Sequence, residues 1–122
     1  MGFNALMVTF EQHVPGHGES GNCGLGQPPT LYVMNVVNGS QSWTINRRYQ
    51  RFADLHEELE AKFWYMKLPA LPPKNFFSFF GNSSPDFVLR RKAELEQYML
   101  SILQIACISQ SDEIWNFLSP DA

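Results

Sequence analysis

The stretch TLYVMNVVNGSQSWTINRRYQRFADLHEELEAKF, residues 30–63 of the 122-residue chain, changes its hydrophobic period partway along, and that change decides the fold. Thr30–Asn38 and Ser40–Arg47 are rich in β-branched and aromatic residues and meet at Asn38-Gly39. Asn-Gly supplies the positive φ angles that tight two-residue turns require, so the pair predicts an antiparallel hairpin. Beyond Arg47 the spacing becomes helical. Phe52, Leu55, Leu59 and Phe63 fall at i, i+3, i+7 and i+11, which aligns them on one face of a helix over about Gln50–Phe63. Glu57, Glu58 and Glu60 cover the opposite face.

Upstream, residues 4–13 (NALMVTFEQH) read as a further strand. Residues 14–29 hold five Gly and three Pro and read as a long flexible connection. Downstream, residues 67–85 (KLPALPPKNFFSFFGNSSP) exclude helix, because Pro69, Pro72 and Pro73 lack the N–H that a helix interior needs. Their spacing favours polyproline II. A second helix starts at Ser84-Pro85-Asp86, with Ser84 as N-cap and Pro85 at the first helical position. Val88, Leu95, Met99, Ile102 and Ala106 stripe it to about Ile105. A short helix over about Ser111–Leu118 has Ser111 as N-cap, Asp112 and Glu113 in its first turn, and Ile114, Trp115, Phe117 and Leu118 to bury. Strands followed by helices make an α+β fold. The expectation is one domain over 1–122, a three-stranded antiparallel β-meander packed against a helical subdomain.

Charge is unevenly placed. The net charge is −3, yet all nine Lys and Arg lie between Arg47 and Lys92, a window with only five acids. The rest of the chain carries seven acids and no base. That distribution describes a local anion site rather than a general cationic surface, and it argues against nucleic acid. No apolar run reaches bilayer length, no secretory leader is evident, and Leu6 fails the N-myristoylation pattern. Cys23 and Cys107 read as free thiols of a reducing compartment. His13, His17 and His56 have no metal spacing. No nucleophile elbow, phosphate loop or paired-carboxylate motif is present, so the chain reads as a non-enzyme without cofactor.

Three features stand in a telling order: Arg47-Arg48-Tyr49-Gln50-Arg51-Phe52 at a strand-to-helix junction, then Leu68-Pro-Ala-Leu-Pro-Pro-Lys74, then Arg90-Arg91-Lys92 ahead of Tyr98. Together they resemble the Phox-homology (PX) domain family, from about Thr9 to Pro120. The resemblance implies a helical subdomain of three to four helices, with a polyproline loop between the first two long ones. It also implies binding of phosphoinositides, most often phosphatidylinositol 3-phosphate, on endosomal or other membranes from the cytoplasmic side. Carried over, Arg48 grips the 3-phosphate, Tyr49 floors the inositol ring, Lys74 meets the 1-phosphate and Arg91 reaches the 4- and 5-hydroxyls. In some members a second base follows the Tyr; here Gln50 stands there, and Arg51 is turned about 100° away on the helix.

The residue types suit those roles. Arg offers a planar fork of donors that matches phosphate oxygens in pairs, and Lys a compact charge on a long stem. Phe76, Phe77, Phe79 and Phe80 are four rings in five positions, which the family's loop inserts into the bilayer; Phe76 and Phe77 are expected to insert, with Phe79 or Phe80 plugging the core. Two plainer readings compete. Arg48 could pair with Glu57, and Pro69-x-x-Pro72 with Lys74 also fits an SH3 ligand, making the chain a protein-interaction scaffold. A one-residue slip would put Arg90 in place of Arg91.

Overall fold

The computed structural model describes residues 6–15, 30–74 and 85–121, without the side chains of 12–15 and 85. Three strands, β1 (Leu6–Pro15), β2 (Thr30–Asn38) and β3 (Gln41–Arg48), form one antiparallel sheet in the order β1-β2-β3. Four helices follow: α1 (Tyr49–Lys62), α2 (Pro85–Leu103), α3 (Ala106–Ser109) and α4 (Asp112–Leu118). This is the expected α+β meander.

The expected hairpin forms, but its turn falls one residue later than the Asn38-Gly39 pair: Asn38 stays in β2 and the two turn residues are Gly39 and Ser40. Asn38 pairs with Gln41, and Gly39 takes φ +65°, a conformation that L side chains rarely adopt. β1 runs two residues past its expected end, to a Pro15–Thr30 pair. Proline is tolerated there because a strand end needs no ladder donor. Within β1 the register slips between Phe10 and Gln12. At that bulge the Phe10 N–H donates to Glu96 Oε2 on α2 at 3.1 Å. Replacing Glu96 by Ala strands this N–H and is expected to cost about 1–3 kcal/mol in denaturant melts. Glu96→Gln keeps an acceptor and loses less than half as much.

The helices cover one sheet face. Val8 and Phe10 of β1, Tyr32, Met34 and Val36 of β2, and Ile45 of β3 alternate inward. They meet the α1 stripe Phe52, Leu55, Leu59 and Phe63 and the α2 stripe Val88, Leu95, Met99 and Ile102. Phe52 sits at the centre, edge-on to Tyr32 and Phe117 at 6.5 and 5.0 Å. Ser111 caps α4: its Oγ accepts from the Ile114 N–H at 3.3 Å and donates to the Ile108 carbonyl.

Two expectations need correction. The second long helix stops at Leu103, and Ala106 begins the separate α3 with its side chain exposed. Trp115 is 39% exposed rather than buried, because a seven-residue helix presents one face inward and Ile114, Phe117 and Leu118 occupy it. Ser84 and the four Phe of 76–80 lie outside the described residues.

Candidate functional site

Strand alternation separates the two adjacent arginines. Trp43, Ile45 and Arg47 face the helices, so Arg47 is drawn inside and Arg48 is left outside. Arg47 is 2% exposed. Its Nε donates to the Phe117 carbonyl at 3.0 Å, and its terminal nitrogens reach the carbonyls of Asn46 and Ser119 and the Asp121 carboxylate at 2.8–3.1 Å. Burial pushes this guanidinium below its ordinary pKa, and Asp121 pulls it partly back. Arg47 is therefore a clamp on the C-terminal segment.

Arg48 is the last residue of β3 and the N-cap of α1, with extended backbone (φ −89°, ψ 165°) and no side-chain cap. It is exposed and has no ion pair or hydrogen bond among the described residues; the Arg48–Glu57 pair is not formed. The first turn of α1 contains no acid, so the positive end of that helix dipole lies beside Arg48 uncompensated.

Tyr49 follows and is half-buried. Its hydroxyl donates to the Pro72 carbonyl. The Arg91 guanidinium stacks on its ring at 4.1 Å and on the Phe87 ring at 4.5 Å. Nη2 of Arg91 donates to the Pro73 carbonyl at 3.1 Å, and the residue is 7% exposed. Burial raises the Tyr49 and Tyr32 phenols, and the Arg91 charge lowers both in part, so a cation sits close to two neutral hydroxyls. Lys74 comes directly after Pro73 and is exposed, with no partner among the described residues.

Four sequence-predicted residues are thus tied together. Arg48 adjoins Tyr49; Tyr49 touches Pro72 and Arg91; Arg91 touches Pro73; Lys74 adjoins Pro73. Arg91, not Arg90, makes the contact, and Arg90 is exposed. One face of the Tyr49 ring is already occupied by Arg91. Gln50 turns to its own helix and donates to Asp54 at 3.0 Å. Phe87 was missed in the sequence, although its place one helical turn before Arg91 is the signal that finds it.

The polyproline segment is tied into the fold: Pro72 is buried, Pro69 half-buried, and the Pro72 and Pro73 carbonyls accept from Tyr49 and Arg91. Beside the cation cluster, α1 and residues 66–73 enclose a groove of about 640 Å³. Within it His56 Nδ1 lies 2.8 Å from the Tyr98 hydroxyl, and His56 Nε2 lies 3.3 Å from Glu60. Among the described residues no group of His, Cys, Asp and Glu is placed to hold a metal, and no helix is long and apolar enough to cross a membrane.

Comparison with known proteins follows the same lines. The family profile described as PX domain matches residues 35–121. The chain is 34% identical over 93 residues to a probable serine/threonine-protein kinase of Dictyostelium discoideum, covering 75% of this chain and 4% of that protein. It is 35% identical over 90 residues to sorting nexin-17 of Rattus norvegicus, covering 73% of this chain and 18% of that protein. Among solved structures, a designed CISK-PX domain matches with TM-score 0.78 at 24% identity, over 93% of this chain and 99% of that chain, which shows the fold. The mouse SNX19 PX domain with bound sulphate ion matches with TM-score 0.65 at 26% identity, over 96% of this chain and 98% of that chain. The chain therefore spans a small part of these two relatives and nearly all of each solved domain.

Proposed function

The chain belongs to the PX domain family, and on that premise we propose that it is a non-enzymatic membrane-recruitment module that binds a phosphoinositide headgroup, phosphatidylinositol 3-phosphate first, on endosomal membranes. The observation that carries this reading is that Arg48 and Lys74 are exposed, have no side-chain partner among the described residues, and each adjoin the Tyr49–Pro72/Pro73–Arg91 knot in the chain. Two exposed cations flanking one hydrogen-bonded knot suit a ligand with two phosphates. In the proposed pose Arg48 takes the 3-phosphate and Lys74 the 1-phosphate. Tyr49 lies under the ring with the face that Arg91 leaves open, and Arg91 turns free N–H edges to the 4- and 5-hydroxyls. The bound sulphate in the mouse SNX19 PX domain is an anion of comparable shape in a relative of the same fold.

The same end of the molecule anchors both segments outside the described residues. Pro15 pairs with Thr30, and Leu31 with Arg48; Lys74 precedes the second segment, and Pro85 follows it two residues before Phe87. Phe76 and Phe77, which follow Lys74 in the sequence, are proposed to enter the bilayer beside the headgroup. Two such side chains contribute about 3–6 kcal/mol on full transfer from water, and stable peripheral anchoring takes two weak signals together.

Vesicle sedimentation across every mono- and bis-phosphorylated inositol lipid tests the reading. Phosphatidylinositol 3-phosphate is expected to bind best, with high salt weakening binding about tenfold without abolishing it, because screening acts on the cations and not on the rings. Phe76→Ala/Phe77→Ala is expected to remove most of the salt-resistant remainder. Equal binding to vesicles of unphosphorylated phosphatidylinositol would refute the headgroup site.

A further inference from the structure

On the headgroup reading above, we propose that Phe87 is a positioning residue: its ring holds the Arg91 guanidinium in place, and a fixed Arg91 admits hydroxyls but turns away a further phosphate. Phe87 stands in the first turn of α2, one turn before Arg91, half-buried against the edge of the core. Three groups hold Arg91, and they act differently. The Pro73 carbonyl takes Nη2 at 3.1 Å, which fixes one nitrogen and leaves the ion free to swing about it. The Tyr49 and Phe87 ring centroids lie 4.1 and 4.5 Å from the guanidinium carbon, and cation–π attraction to both rings opposes that swing. Without them the long arginine stem regains the rotamer freedom that ordering removes. Tyr49 is also the proposed floor of the ligand, and Pro73 leads into Lys74. Phe87 belongs to neither, so its effect on the ligand passes through Arg91.

Holding Arg91 still decides what it accepts. The residue is 7% exposed, and Tyr32 on β2 lies near enough for its charge to pull down a phenol that burial pushes up. With sheet, loop and two rings around it, the ion offers a ligand only an N–H edge at a set place. Such an edge meets a hydroxyl oxygen at ordinary hydrogen-bond length. A phosphate ester on that oxygen would put phosphorus and three more oxygens where the guanidinium stands. A guanidinium on a free stem would draw back and pair with that phosphate through its fork, gaining affinity. Selectivity at the 4- and 5-positions therefore depends on whether Arg91 moves, not on its charge. The other two cations of the site make the contrast. Arg48 and Lys74, assigned to phosphates, are exposed with no side-chain partner among the described residues. Arg91, assigned to hydroxyls, is held by three groups.

Phe87→Leu and Phe87→Met keep an apolar side chain without the ring, and Phe87→Tyr keeps the ring; circular dichroism checks the fold of each. Vesicle sedimentation with phosphatidylinositol 3-phosphate, 3,4-bisphosphate and 3,5-bisphosphate compares them with the unmodified chain. The ringless variants are expected to lose at least about fivefold in preference for the monophosphate, while Phe87→Tyr keeps it. The loss is expected to combine weaker binding of the monophosphate with stronger binding of the bisphosphates. A second readout needs no lipid. The Arg91 Nε–H proton, identified by its absence in Arg91→Lys, is expected to be shifted upfield by the two rings in heteronuclear NMR. It is expected to move back in the ringless variants. An unmodified chain that binds either bisphosphate as well as the monophosphate would overturn the inference and leave the headgroup site standing. So would ringless variants with an unchanged preference or an unmoved Nε–H signal, or Phe87→Tyr failing as they do. Equal weakening on all vesicles, those of unphosphorylated phosphatidylinositol included, would overturn it too, by making Phe87 a membrane contact. A chain that binds no phosphorylated inositol lipid sinks the headgroup reading, and the role of Phe87 with it.

Discussion

Replacing Arg47 by Met is expected to lower stability by about 3–5 kcal/mol and the melting temperature by more than about 10 °C. Methionine fills the apolar part of the space but donates nothing. The carbonyls of Asn46, Phe117 and Ser119 and the Asp121 carboxylate all lose the same donor at once. Stranding a buried acceptor costs about 1–3 kcal/mol each where water does not replace the donor. The guanidinium also packs 5.6 Å from the Phe117 ring, and Phe117 is the edge partner of Phe52 at the middle of the core. The damage therefore spreads from the C-terminal segment into α1. Asp121 is largely exposed, so its ion pair is the lesser part; Asp121→Asn is expected to cost less than about 1 kcal/mol. Urea denaturation of the three proteins measures this. A loss below about 1 kcal/mol for Arg47→Met would mean that the C-terminal segment holds without its clamp.

That Arg47 is buried in the fold while its neighbour Arg48 stays exposed shows where the sequence was legible and where it was not. The hairpin was legible because Gly39 permits the positive φ of a tight turn, although the turn falls at Gly39-Ser40 rather than Asn38-Gly39, and α1 because its stripe repeats every turn. The end of β1 was misplaced by reading Pro15 as a breaker where it ends a strand. The break after Leu103 has no Gly or Pro to announce it; the chain turns so that Ile108 reaches the core while Ala106 stays out. Within the candidate site, residue types at a junction, a proline loop and a helix indicated Arg48, Tyr49, Lys74 and Arg91. What they did not indicate was that Arg91 is plated by Tyr49 and Phe87. Apart from the adjacent Asn46 carbonyl, the partners of Arg47 lie 70 to 74 residues away, beyond any local pattern. The period-2 alternation from Trp43 through Ile45 to Arg47 does contain the answer to which arginine turns inward, once the strand is extended by one residue to Arg48.

The counterpart experiment on Arg48 is expected to invert the result. Arg48→Gln should leave stability within about 0.5 kcal/mol, since the side chain is exposed, has no partner among the described residues and makes no cap bond. Binding to vesicles carrying phosphatidylinositol 3-phosphate should fall at least about 100-fold. A guanidinium paired with a phosphate makes two charge-assisted hydrogen bonds. Bonds to charged groups contribute about 1.5–3 kcal/mol each, and 1.4 kcal/mol is tenfold in affinity. Gln retains a donor but neither the charge nor the fork. Arg48→Lys separates the two contributions: it keeps the charge at the open end of the α1 dipole and loses the paired geometry, so an intermediate loss of about tenfold is expected. Lys74→Gln, which removes a point charge on a long stem, should weaken binding about as much and should flatten its salt dependence. If Arg48→Gln stays folded and sediments with the lipid as the unmodified chain does, the cation that precedes Tyr49 in the chain does not hold the phosphate. The pocket then has to be sought around Lys74 and Arg91 instead.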